Sequence, residues 1–344
     1  ANTYWSGDTF KAILKSSQLH LNENLDGVNR RLLGNNSKLI QMFNRYATYN
    51  GSSPYRTPGI MSMIPHLEHH YGTYFPKGGM ISITNSLFQA AQNLGVEFHF
   101  ETPVEQILIS DKSVTGIRTE GHTVPADVVI SNMDVVPTYR KLLTGQRAPE
   151  QTLKQERSSS AIIFYWGIKG EFPELDLHNI FFSGHYRKEF EEIFEEKKVP
   201  EDPTIYLNIS CKEQPEDAPE GSENWFVMVN VPADSGQMWD EEISRVRDTV
   251  INRLSCILNR PIERLIERED YLDPRRIETR TSSYQGALYG AASNDKFAAF
   301  LRHPNFSRRI KNLHFCGGSV HPGGGIPLCL FSAKIVSELI PDAA

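Results

Sequence analysis

Nine residues near the carboxy end, Gly317-Gly-Ser-Val-His-Pro-Gly-Gly-Gly325, hold five glycines around one imidazole, that of His321. Glycine without a Cβ lets backbone N–H groups approach a ligand that any side chain would hold away. A short apolar strand, Leu313 to Cys316, precedes this turn, and a helix is expected from about Leu328. Its apolar face runs through Leu328, Phe331, Ile335, Val336 and Leu339. Strand, glycine turn and helix in that order bring backbone donors and a helix N-terminus up to an anionic or polar group.

Other side chains that do chemistry are placed less productively. His66 and His70 stand four apart beside Glu68 and His69. A third ligand at a recognised spacing is missing and Glu68 falls on another helix face, so no metal site is expected. Cys211, Cys256, Cys316 and Cys329 form no C-x-x-C pair; they read as reduced thiols in a cytoplasmic protein. A net charge of -6 leaves no basic footprint for nucleic acid. With 39% hydrophobic and 23% charged residues the composition is that of a globular protein, and no apolar run reaches the length of a membrane span.

The elements that must carry the turn follow from periodicity. Residues 1 to about 48 look helical, with apolar side chains at Phe10, Ile13 and Leu14 and an N-cap from Asn35 to Ser37. A helix is expected over Met61 to His70, and another from Ile81 to Leu94, closed by Gly95. Val96 to Phe100, Pro103 to Ile109, Val114 to Thr119 and Ala126 to Ser131 read as strands separated by polar turns. Beyond Gln151, Ser158 to Trp166, Thr204 to Ser210 and Trp225 to Val231 are rich in aromatic and branched residues and read as a second sheet. An acidic helix over Arg187 to Lys198 carries Glu191, Glu192, Glu195 and Glu196 on a solvated face. Trp239 to Leu258 places Ile243, Val246, Val250, Leu254 and Ile257 along one side of a long covering helix.

Four strings in order, Tyr49-Asn-Gly-Ser-Ser-Pro-Tyr-Arg-Thr-Pro58, Tyr74-Phe-Pro-Lys-Gly-Gly-Met80, Ala126-Asp-Val-Val-Ile-Ser-Asn-Met-Asp-Val-Val136 and Gly317 to Pro327, resemble the phytoene desaturase family of FAD-dependent oxidoreductases, retinol-saturase-like enzymes included. The resemblance runs from roughly Asn36 to the end. It implies an α/β fold of mixed type: an incomplete FAD/NAD(P)-binding Rossmann-like domain with a substrate domain of sheet and helices. Residues 1–70 would be a helical, substrate- or membrane-facing segment. Residues 71–145 and 286–344 would belong to the FAD-binding domain, and 146–285 to the substrate domain.

By the same resemblance Gly317, Gly318 and Ser319 would lie near the ribityl chain or phosphate, and Gly324, Gly325, Ile326 and Pro327 under the flavin ring. Val104 occupies the position from which the backbone contacts adenine. His321, Tyr55 and Arg56 are the candidates for facing substrate, while Asn36 and Ile40 stand where an acid and an arginine have been suggested as acid–base partners. No catalytic residue is assigned. The substrate would be a lipophilic polyene or isoprenoid, reached by peripheral contact with a membrane. Alternatives are a saturase relative, an amine-oxidase-like flavoenzyme, against which the Gly-Ser-Val-His-Pro-Gly string argues, and a flavin-free lipid-binding or interaction fragment.

The family opens with a strand and G-x-G-x-x-G, and that pattern does not occur in this sequence. The chain is therefore expected to begin inside the family pattern, as its carboxy-terminal two-thirds, and to be inactive alone. Each charge-assisted hydrogen bond to the pyrophosphate contributes about 1.5–3 kcal/mol. Losing several predicts weak FAD binding or none.

Overall fold

The computed structural model describes residues 20–295 and 301–340; the helix expected around Phe10, Ile13 and Leu14 lies outside them. Helix α1 (Leu25–Leu33) is capped by the Asn24 side chain, which accepts from the Gly27 N–H. Helix α2 (Ser37–Asn44) is capped by Asn36, which accepts from Leu39 N–H. That role commits Asn36 to the backbone, and Ile40 is buried; neither is placed as an acid or a base. Helix α3 (Met63–Tyr71) keeps His66, His69 and His70 outside the core, and no metal-binding group of His, Cys, Asp or Glu occurs among the described residues.

Helix α4 (Ile81–Asn93) ends at Gly95 in the left-handed region. It buries no residue, and Val96 to Phe100 departs from expectation by forming no strand. No neighbouring strand pairs with it among the described residues. Instead Phe88, Phe98 and Phe100 pack on one another with ring centroids 4.4 to 5.9 Å apart.

A meander follows: β1 (Val104–Ser110), β2 (Ser113–Thr119) and β3 (His122–Pro125), all antiparallel. Asp111 and Lys112 both adopt positive φ, as do Glu120 and Gly121, the backbone that two-residue hairpins require. The expected strand Ala126 to Ser131 contracts to β4 (Val129–Ser131), because β3 uses the residues just before it.

The second sheet has five antiparallel strands in the order β6-β7-β8-β5-β9. They are β5 (Ser160–Lys169), β6 (His178–Phe181), β7 (Ile205–Asn208), β8 (Ser222–Val231) and β9 (Ile266–Leu272). β5 and β8 pair over their whole length, from Ser160 opposite Val231 to Lys169 opposite Ser222. Helix α5 (Tyr186–Glu191) and the π turn after it bury Phe190, Ile193 and Phe194. Glu192 departs from the solvated face: it is buried and pairs with Lys188 at 3.2 Å.

Helix α6 (Trp239–Leu258) covers the sheet with Ile243, Val246, Val250 and Leu254, each contributing about 1.5–3 kcal/mol on full burial. Ile257 falls outside that stripe and is exposed. Helix α7 (Pro274–Thr281) then returns the chain toward β10 (Leu313–Phe315), which pairs in parallel with β4. The last helix, α8 (Ile326–Leu339), starts two residues earlier than expected and turns Ser332 and Val336 inward. Its expected apolar face is only partly covered, since Leu328 and Phe331 are exposed. Among the described residues no helix is long and apolar enough to cross a membrane.

Candidate flavin-binding site

β10 and β4 deliver two loops to the same edge, and the glycine turn is built from both. Gly317 has φ +101°, and a Cβ there would stand 2.4 Å from Asn132 Oδ1. Its N–H donates to Ser332 Oγ at 3.1 Å, tying the turn to α8. A Cβ on Gly318 would lie 3.3 Å from Gly324 Cα, and one on Gly324 would meet the Tyr289 ring at 2.7 Å. The turn thus folds glycine onto glycine and leaves no room for side chains inside. Gly325, at φ +96°, faces open space, and the half-exposed Ile326 follows it.

Three polar side chains fix the turn from below. Asn305 Nδ2 donates toward the carbonyls of Phe315 and His321, at 3.1 and 2.8 Å, and toward Ser332 Oγ at 2.8 Å. Ser319 Oγ accepts from Val135 N–H at 3.0 Å. Arg302 is buried, with Nη1 donating to the carbonyls of Tyr289 and Gly318 and Nη2 to that of Ala291.

Beside the turn, Pro304 O accepts from His303 Nδ1–H at 2.7 Å, so Nε2 is the unprotonated nitrogen and accepts from the Tyr139 hydroxyl at 3.2 Å. Burial lowers His303 to about 4, which keeps it neutral. His321 is half-buried, and burial, then the Arg302 charge, lower its pKa as well. Asp134 and Arg157 form a buried ion pair at 2.6 Å next to the Val135 contact.

The Tyr49 to Pro58 loop reaches this assembly from the other side. Asn50 Nδ2 donates to Ser293 Oγ at 2.6 Å, Ser293 N–H to Ser52 Oγ at 2.9 Å, and Ser53 N–H to Asn294 Oδ1 at 2.8 Å. Gly51 is in the left-handed region, and a Cβ on it would lie 2.8 Å from the Tyr289 ring. Gly317, Gly318, Ser319, His321, Gly324, Gly325, Ile326 and Pro327 are therefore together at one place, with the start of the Tyr49 loop packed behind them. Tyr55 lies further along, edge-on to Phe190 and under the Arg187 guanidinium at 4.1 Å. Arg56 pairs with Glu156 at 3.0 Å. Val104 opens β1 opposite Thr119, in the meander. Sequence reasoning singled out neither Arg302, Tyr289 nor Asn305, whose partners are far away along the chain.

The profile of the flavin-containing amine oxidoreductases matches residues 8–341. The chain belongs to this family. It lies in the carotenoid-desaturase branch, being 59% identical over 342 residues to 1-hydroxycarotenoid 3,4-desaturase of Flavobacterium sp. (strain P99-3). That match takes in 99% of this chain and 70% of the relative. Similarity to 4,4'-diapolycopene oxygenase of Methylomonas sp. is 34%, over 88% of this chain and 62% of that protein. For 4,4'-diaponeurosporene oxygenase of Staphylococcus aureus (strain MRSA252) it is 35%, over 89% and 62%.

Among solved structures, an oxidoreductase from Methanosarcina mazei superposes with a TM-score of 0.62 at 15% identity, over 98% of this chain and 74% of that one. Putrescine oxidase bound to putrescine gives 0.53 at 13%, over 94% and 69%. These two speak for the fold alone, a mixed α/β fold of the FAD-binding, Rossmann-like type. The likeness to the family is broader than the four strings indicated: it extends over the whole chain and does not begin at Asn36.

FAD is the cofactor of this family, and the glycine turn leaves backbone open to a group of that kind. Gly325 offers backbone to open space, while Gly317 and Gly324 could carry no side chain without a clash and Gly318 has little room for one. The buried Arg302 guanidinium beneath has one N–H, Nε, without a partner.

Proposed function

We propose that this chain carries out the reaction of an FAD-dependent oxidoreductase that removes hydride from a lipophilic polyene, in the manner of a phytoene desaturase. The observation that carries this is the glycine-rich Gly317 to Pro327 turn, whose Gly325 leaves its backbone open, in a chain 59% identical to a carotenoid 3,4-desaturase. In this reading residues 71–145 and 286–344 form the flavin side and 146–285 the substrate side, with 1–70 facing substrate or membrane.

FAD, when bound, supplies the two-electron acceptor. The chain's own residues hold and orient. Backbone at Gly317, Gly318 and Ser319 would run beside the ribityl chain, and Gly324 to Pro327 beneath the ring. In this reading His321 and Tyr55 would face the apolar substrate and Val104 would offer its backbone to adenine, while Arg56 braces the Tyr49 loop through Glu156. A polyene chain offers little to hydrogen-bond, so alignment of its C–H bond with the ring matters most, and the proton lost from the neighbouring carbon leaves to water.

The protein is read as cytoplasmic, meeting its substrate at the bilayer surface through exposed side chains of the first 70 residues such as Leu32 and Met63.

Titration with FAD while following flavin fluorescence, then incubation with a hydroxylated acyclic carotenoid in liposomes, tests the reading. Quenching, together with a red shift of the polyene bands as one C=C bond is added, is expected. Flavin fluorescence that never changes, with an unaltered polyene spectrum, would refute it. Flotation with the same liposomes tests the surface contact, which protein left wholly in the soluble fraction would count against.

A further inference from the structure

We propose that Arg302 is a positioning residue for the acceptor ring: its buried, carboxylate-free positive charge under the glycine turn favours the electron-rich, reduced state of the flavin. The inference rests on the flavin reading above and adds a residue and a role to it.

The bonding of Arg302 is unusual for a buried cation. Nη1 donates to Tyr289 O at 2.9 Å and Gly318 O at 3.2 Å. Nη2 donates to Ala291 O at 2.7 Å and lies 3.4 Å from Asn50 Oδ1 and 3.5 Å from Ser293 Oγ. All of these are neutral acceptors. No carboxylate pairs with Arg302 among the described residues; the nearby Asp134 is spent on Arg157. Arg302, Arg157 and Asp134 therefore leave one net positive charge inside the protein. Burial lowers Arg302 only to about 10, so it remains protonated at neutral pH.

An isolated buried charge is costly unless something balances it. The free Nε–H stands 3.1 Å from where a Cβ on Gly323 would be, against the turn itself. Two residues further on, Gly325 opens to the outside. A charge in this dry setting acts strongly over short distances.

The reaction proposed above creates the charge that would be balanced. A polyene C–H bond breaks with both electrons leaving on hydrogen, a neighbouring carbon gives up a proton to water, and a C=C bond forms. The acceptor ring would take up that hydride, one hydrogen nucleus with its two electrons, and with it one negative charge. A fixed cation nearby lowers the energy of that state relative to the oxidised one.

Sulfite reports the same preference without turnover, because its addition to the ring also leaves negative charge there. The experiment measures, for FAD-loaded wild type, Arg302→Lys and Arg302→Met, the flavin midpoint potential and the sulfite dissociation constant. Expected are a wild-type potential above that of free FAD and sulfite binding at least tenfold weaker in Arg302→Met. Arg302→Lys should restore most of it, since it keeps the charge and loses the fork. Flavin that binds Arg302→Met with unchanged potential and sulfite affinity overturns the inference alone. If Arg302→Met does not fold, a wild-type potential at or below that of free FAD overturns it. Wild type that binds no FAD at millimolar concentration removes both this inference and the flavin reading.

Discussion

Gly317 and Asn132 touch so closely that a Cβ on the glycine would stand 2.4 Å from Asn132 Oδ1. The contact joins the loop after β10 to the loop after β4, where the two parallel strands end. Replacing Gly317 by Ala combines this clash with a φ of +101° and is expected to cost at least about 2–3 kcal/mol. Gly325→Ala meets only the backbone penalty, about 1 kcal/mol, because nothing lies within reach of its Cβ. Urea denaturation of both variants checks the contrast. In FAD titrations Gly325→Ala should lose affinity despite its near-normal stability.

The Asp134–Arg157 pair gives a second expectation. Both side chains are buried, and Asp134 also accepts from Val136 N–H at 2.9 Å. Asp134→Asn should destabilise by about 3–5 kcal/mol, since it leaves Arg157 buried without its partner. The double variant Asp134→Asn with Arg157→Met should recover part of that loss. A double-mutant cycle showing additive losses would contradict the coupling.

His303 sets a pH dependence. Its folded pKa, about 4, lies below the ordinary 6.5 because burial disfavours the imidazolium. Between those values the unfolded chain binds more protons, so this contribution is complete above pH 6.5 and is lost as pH falls toward 4. The full loss is about 3 kcal/mol. His303→Gln should flatten the melting temperature over that window relative to wild type.

Glu189 works in the opposite sense. Burial raises it to about 7, against hydrogen bonds from Thr204 N–H and Oγ1 that favour the carboxylate. The folded state holds the proton more tightly, so this stabilisation is present below pH 4.5 and is lost as pH rises through 7. Glu189→Gln should therefore reduce the decline in stability between pH 4.5 and 7. In wild type the two groups offset one another between 4.5 and 6.5, and single variants are needed to expose either.

How much of this was legible depended on whether the determining contacts were local. The spacing of Ile243, Val246, Val250 and Leu254 marked α6 at its observed ends, and Asn36 marked the start of α2, because periodicity and capping act within a turn or two. Asp111-Lys112 and Glu120-Gly121 marked hairpins for the same reason. Phe98 and Phe100 misled: branched and aromatic residues suit a strand, but a strand needs a neighbour to pair with. The glycine string stood out as composition. Arg302, which fastens it, did not; its partners Asn50 and Gly318 are 252 residues before it and 16 after it, and no local pattern links them.

The parallel pairing of β4 with β10 also has a consequence for the order of assembly. Residues 129–131 are synthesised before the five-stranded sheet between Ser160 and Leu272, and residues 313–315 only after it. The earlier strand must wait through the making of an entire antiparallel unit before its neighbour exists. Contacts spanning so much chain form late, once the intervening part is compact. The five-stranded sheet can pair its strands as soon as they are all made. The glycine turn, which packs on Asn132 and Val135, can close only once that pairing has brought the two loops together.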